Sequence, residues 1–143
     1  MTKVVYNACY GGFGLSKEAI QRYWEIKGQQ VWIEDDKEYP SLGIWTVWLT
    51  PPEERPVMKK NWENMSMDER IAHNRAHSEQ TWYERNVSRH DPALVQVVEE
   101  LGDKASSKYA KLRIAEVSGA YRIDEYDGME SVETPTSYDW ITP

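Results

Sequence analysis

The sequence predicts an α+β fold: a mostly antiparallel sheet with about three helices packed on it, in a single compact domain. Three observations predict it. Strand and helix patterns follow one another in the order β, α, β, β, α, α, β, β, β, which suits strands that pair antiparallel beneath packed helices. An Asp127-Gly128 pair between two strand-like runs marks a hairpin whose turn needs φ above zero at both positions. The 143 residues, 40% hydrophobic and 29% charged, fit one core of ordinary size.

Each element has its own local reason. Residues 3–8 read as a central strand because β-branched and aromatic side chains fall on both faces. Cys9-Tyr-Gly-Gly-Phe-Gly14 then breaks any regular element. Ser16 is an N-cap and Glu18 complements the helix dipole. Ile20, Tyr23 and Trp24 form the buried stripe of a helix that Gly28 closes. Residues 30–34 and 43–50 read as two strands that pair, with a register the long connection does not fix. Thr50-Pro-Pro-Glu-Glu-Arg-Pro56 is a polar, proline-broken connector, and the stretch around 50–65 is expected to be mobile or inserted.

Ser66-Met-Asp-Glu69 is a capping box that starts a helix over 67–80. Its apolar stripe, Met67, Ile71, Ala72 and Ala76, is thin, so the helix is expected on the surface or against another chain. Asp91-Pro92 opens a third helix. Leu94, Val97, Val98 and Leu101 supply its packed face, and Gly102 ends it. Residues 111–117 alternate as a half-buried strand. Residues 121–126 and 129–133 form the hairpin, with Asp124, Asp127, Glu130 and Glu133 expected to point outward. Trp140 is a potential anchor in the turn-rich tail.

Composition narrows the function. The 7 Trp and 9 Tyr against 1 Phe give nearly every ring a polar handle, which favours half-apolar, half-wet surfaces. A net charge of −7 argues against a binder of phosphate backbones, so polynucleotide partners are not expected. No run approaches the ~20 apolar residues of a membrane span, and no secretion signal is read at the N-terminus. With a single cysteine, Cys9, no internal disulfide forms, and a reducing cytoplasm is expected.

The strongest local feature is the strand, glycine turn and helix start spanning Asn7 to Ser16. Glycines let a backbone come close to a ligand, and free N–H groups at a helix start favour an anion. The spacing of Gly11, Gly12 and Gly14 matches neither the dinucleotide fingerprint nor the P-loop, so a plain tight turn competes with a phosphate contact. The expected ligand-binding set is Asn7, Tyr10, Gly11, Gly12, Gly14 and Ser16, joined by Trp82, Tyr83, Arg85 and Arg89. In that second group arginines and stacking rings are interleaved just before Asp91, with pairing to the protein's own acids as the competing reading.

Weaker constellations are read mainly as structure. Cys9 has no base placed by spacing and reads as a small buried side chain. Glu69, His73 and His77 share one helical face, but the pattern lacks a metalloprotease arrangement and suits a solvated face; no metal or cofactor is expected. The carboxylates of 124–130 lack both the spacing of a calcium loop and the cleft of a hydrolase.

Three blocks together resemble a family of small uncharacterised proteins encoded by tailed bacteriophages and prophages. They are Val4-Val5-Tyr6-Asn7-Ala8-Cys9-Tyr10-Gly11-Gly12-Phe13-Gly14-Leu15-Ser16, the run from Asp91 to Gly102, and Tyr121-Arg122-Ile123-Asp124-Glu125-Tyr126-Asp127-Gly128. They cover a third or less of the chain. Ala105 to Ala110 departs from the family pattern, and the Trp-rich stretch 29–62 has no counterpart in it. The resemblance implies a phage accessory protein acting in the host cytoplasm against host defence, commonly by sequestering a nucleotide immune signal or blocking a defence protein; it supplies no catalytic residues. The leading expectation is therefore a non-enzymatic, homo-oligomeric binder of a nucleotide-like small molecule. The alternatives are an acidic protein-binding inhibitor of a host defence enzyme, in the manner of a DNA mimic, and an enzyme acting on a nucleotide or sugar phosphate.

Overall fold

The computed structural model describes residues 1–38 and 40–135. The fold is α+β as expected, with three α-helices among the described residues and strands that all pair antiparallel, although they are divided among three separate sheets. The chain forms two compact units, one built from Met1–Gln29 and the chain from Glu84 onward, the other from Gln30–Tyr83. The expected anchor Trp140 lies outside the described residues.

In the first unit, β1 (Thr2–Asn7) pairs antiparallel with β5 (Leu112–Val117), placing Val5 opposite Ile114 and Asn7 opposite Leu112. The expected central strand thus has one ladder partner, and on it the Val5 N–H donates at 2.8 Å to the carbonyl of Arg89, a residue outside any strand. Helix α1 (Lys17–Lys27) starts where the Ser16 hydroxyl accepts the Ala19 N–H, and it ends at Gly28 with φ 77°. Its buried residues are Ala19, Ile20 and Tyr23, while Trp24 is half-buried. Helix α3 (Pro92–Leu101) buries Ala93, Leu94, Val95, Val97 and Val98. Among the described residues, fifteen of the eighteen buried apolar side chains belong to this unit, so the core sits here.

Helices α1 and α3 are also clasped by polar groups. Tyr23 donates its hydroxyl to Asp91 at 2.9 Å, and Lys27 lies 3.2 Å from the same carboxylate. Burial, together with that bond, pushes the Tyr23 phenol up to about 12. Burial alone would raise Asp91, but the Ala93 N–H, Tyr23 and Lys27 outweigh it and hold the carboxylate below its ordinary range. At the far end Arg22 binds Glu100 through Nε at 2.8 Å, and that bond with help from Gln96 brings Glu100 down to about 2.

The hairpin β6 (Arg122–Tyr126) and β7 (Met129–Glu133) turns through Asp127 at φ 50° and Gly128 at φ 87°, the geometry that the Asp-Gly pair predicts. One expectation fails. Glu130 does not point outward: its side chain is only 8% exposed, because Arg89, 41 residues earlier, supplies a buried partner.

In the second unit, β2 (Trp32–Asp35) pairs with β3 (Trp45–Trp48), with Trp32 opposite Trp48, and β3 pairs with β4 (Thr81–Trp82), a two-residue strand that the sequence pattern does not mark. The stretch 50–65 contains two short 3₁₀ turns and belongs to this unit. There Arg55 lays its guanidinium 4.6 Å from the Trp48 ring centre and pairs with Glu34. Helix α2 (Met67–Gln80) begins with both bonds of the capping box and buries none of its residues.

Candidate functional site

The glycine turn is built to let backbone meet backbone. A Cβ at Gly11 would overlap the Tyr109 carbonyl oxygen, and one at Gly128 would overlap the Tyr10 carbonyl oxygen. Asn7, fully buried, ties these segments together: its amide donates to the Cys9 and Gly128 carbonyls at 2.7 and 2.8 Å, and its oxygen accepts the Lys111 N–H at 2.8 Å. Further bonds run along the same seam. Ser107 N–H donates to the Gly14 carbonyl, Ser16 N–H to Ala105, and the Ser16 hydroxyl to Lys104. The turn 9–16 is thus pinned to the loop 103–111, and Gly12 takes the φ of +91° that the path needs.

Arg89 lies under this turn. It forks onto Glu130 at 2.6 and 2.9 Å, and its guanidinium carbon sits 3.6 Å from the Phe13 ring centre. The Asn7 N–H donates to the same carboxylate at 2.8 Å. A bidentate pair flanked by a ring and a backbone donor neutralises the charge from within. Arg89 therefore fixes the hairpin against β1, and its charge is already answered.

Beside the pinned seam lies an open hollow of about 570 Å³, lined by Cys9, Gly11, Ser106, Lys108, Tyr109 and Lys111 among others. Cys9, expected to be buried, is half-buried here. Lys108 and Lys111 are exposed, and among the described residues neither forms an ion pair. The Lys108 ammonium lies 5.4 Å from the Tyr109 ring centre. Asp103, a largely exposed carboxylate also at the rim, pairs with Arg113 at 3.0 Å. Tyr109 is 65% exposed, and Tyr10, between two lining residues in the chain, is 60% exposed. Two ammonium groups beside exposed rings, on a floor fixed by backbone bonds, make a place where a flat anionic molecule can stack and be neutralised.

Of the residues expected to bind, Gly11 lines the hollow. Asn7, Gly14 and Ser16 shape the ground beneath it, and Arg89 supports the hairpin. Trp82 is half-buried in β4; Tyr83 and Arg85 are exposed. Lys108, Tyr109 and Lys111 are not among the residues the sequence pattern singles out. A signal exists all the same: residues 104–113 hold Lys104, Lys108, Lys111 and Arg113 around Tyr109 with no acid among them. Elsewhere, Glu69 serves the capping box and is lowered by the Ser66 backbone bond and Lys60, while the His73 and His77 rings pack on Trp62 and Trp48. Among the described residues no cluster of His, Cys, Asp and Glu is arranged to hold a metal, and no helix is long and apolar enough to cross a membrane.

No protein-family model, curated protein or solved structure matches this chain.

Proposed function

We propose that this chain is a non-enzymatic binder that sequesters a small anionic, nucleotide-like molecule, and that it serves a tailed bacteriophage as a counter-defence protein in the host cytoplasm. The hollow carries the first part: Lys108 and Lys111, with no carboxylate partner among the described residues, line it together with the exposed Tyr109, whose ring lies beside the Lys108 ammonium. The second part rests on the resemblance of three sequence blocks. Phosphates would take the two ammonium groups, and a base would stack on tyrosine. A few cations suffice for one small ligand, so the net charge of −7 is no obstacle. Binding is favoured over turnover because the thiol and the serine hydroxyl at the hollow are engaged. The Cys9 thiol donates to the Tyr109 carbonyl at 3.0 Å, and the Ser106 hydroxyl accepts the Leu112 N–H at 2.9 Å.

Calorimetry with cyclic dinucleotides, cyclic trinucleotides and ADP-ribose isomers tests this. At least one class should bind, and Lys108→Ala/Lys111→Ala should weaken it about a hundredfold, as expected for losing two charge-assisted contacts. The ligand should be recovered unchanged by chromatography. No heat from any class overturns the reading, and a converted product replaces it with the enzymatic one.

A second reading, the acidic protein-binding inhibitor, draws on the exposed tip of the hairpin, where Asp124, Glu125 and Asp127 surround a Tyr126 that is 78% exposed. Its mark would be a salt-sensitive complex with a basic host protein that survives in the double lysine variant.

A further inference from the structure

Among the described residues twelve large apolar side chains stand exposed, and eight of them belong to the second unit, Met58, Met67 and Ile71 included. The helix α2 is the centre of this pattern. Its half-buried residues, Glu69, Arg70, His73, Ala76, His77 and Gln80, form one face. The opposite face carries Met67, 67% exposed, and Ile71, 50% exposed, followed by Asn74 and Ser78. At 100° per residue these four lie in one stripe along the helix, and Asp68 and Arg75 run together along a single flank of that stripe.

That flank is self-complementary. When two copies of α2 pack antiparallel about a twofold axis, the same flank of each helix faces its counterpart. With the axis beside Ile71, each residue meets the partner position at which the two numbers add to about 143, so Asp68 of either copy faces Arg75 of the other. Two reciprocal ion pairs then border an apolar centre made by Ile71 and Met67. The opposite charges thus favour a second copy, at a defined register, as the occupant of this face.

We propose that α2 is a homodimerisation helix, paired antiparallel with its copy through Ile71, Met67 and reciprocal Asp68 to Arg75 contacts. The helix is about 21 Å long, and one face of it covers less than the roughly 800 Å² per partner of a standard interface. The dimer therefore belongs to the small, weak class of interfaces, with exposed neighbours such as Met58 available to extend it.

Sedimentation equilibrium over a concentration series tests this on the full chain without any ligand, so its outcome is independent of the hollow. The wild type should show a monomer to dimer equilibrium. Ile71→Glu should abolish it, and Asp68→Arg or Arg75→Asp alone should each weaken it about tenfold. Mixing the two charge variants in equal amounts should restore association. One variant then carries arginine at both flank positions and the other carries aspartate at both, so each facing pair joins opposite charges; circular dichroism checks that each variant stays folded. A wild type that remains monomeric to millimolar concentration overturns the proposal. So does a dimer that ignores Ile71→Glu, or a mixture that associates no better than the single variants.

Discussion

Among the described residues the first unit holds fifteen of the eighteen buried apolar side chains, while the second holds Val31, Val47 and Trp48 and displays eight exposed large apolar ones. The two regions draw on similar residue types and put them to opposite use. In the first, Val4, Val5, Ile20, Leu94 and Leu112 are removed from water by partners distant in sequence, which yields a fixed floor on which a binding hollow can be kept. In the second, three-stranded pairing and a well-capped helix give regular backbone with little apolar burial, which leaves large apolar side chains exposed. Regular secondary structure is thus a poor guide to where stability resides; burial is the better one.

The difference can be broken most severely at the buried ion pair. Glu130→Ala leaves Arg89 largely buried and unanswered beneath the glycine turn, and should cost about 3–5 kcal/mol in denaturant unfolding. A loss under about 1 kcal/mol would show that the pair does not hold the hairpin. Gly11→Ala drives a methyl group into the Tyr109 carbonyl, and relief requires the pinned loop 103–111 to move. It should cost about 3 kcal/mol and weaken ligand binding with it.

The clasp between α1 and α3 gives a smaller, pH-dependent effect. Tyr23 has its folded value raised above the ordinary one, so its contribution is complete below about pH 10 and is lost as pH rises toward about 12. Asp91 is depressed, so its contribution is present above the ordinary aspartate value and is lost as pH falls through the lowered one. Tyr23→Phe should cost about 1 kcal/mol at neutral pH and flatten the alkaline limb of the stability profile. An unchanged alkaline limb would contradict the clasp. The smallest effect belongs to the second unit: Ile71→Ala should change unfolding of the monomer by less than about 0.5 kcal/mol, whereas Leu94→Ala in α3 should cost about 2–5 kcal/mol. Equal losses would erase the contrast between the units.

What the sequence discloses follows the same division between local and distant causes. Ser16, the Ser66 to Glu69 box, Asp91-Pro92, Gly28 and Asp127-Gly128 act on their own neighbours, so element boundaries and the hairpin turn are legible. The thin stripe of α2 is legible too, and it belongs to a helix none of whose residues is fully buried. Glu130 defies its strand pattern because its partner comes from residue 89, and alternation along a hairpin says nothing of such a neighbour. The glycine turn is recognisable as a place of close approach, but the approaching group includes the chain's own Tyr109. Lys108 and Lys111 become meaningful only when the seam of bonds from Asn7, Gly14 and Ser16 sets them beside the turn.

The most direct test of the hollow as a ligand site is a heteronuclear NMR titration of the full chain with the cyclic dinucleotide, cyclic trinucleotide and ADP-ribose panel. The binding class is expected to shift the amides of residues 9–11 and 106–111, to leave those of 67–80 in place, and to lose its effect in Lys108→Ala/Lys111→Ala. Shifts confined to residues 30–83, or none anywhere with any member of the panel, would contradict it.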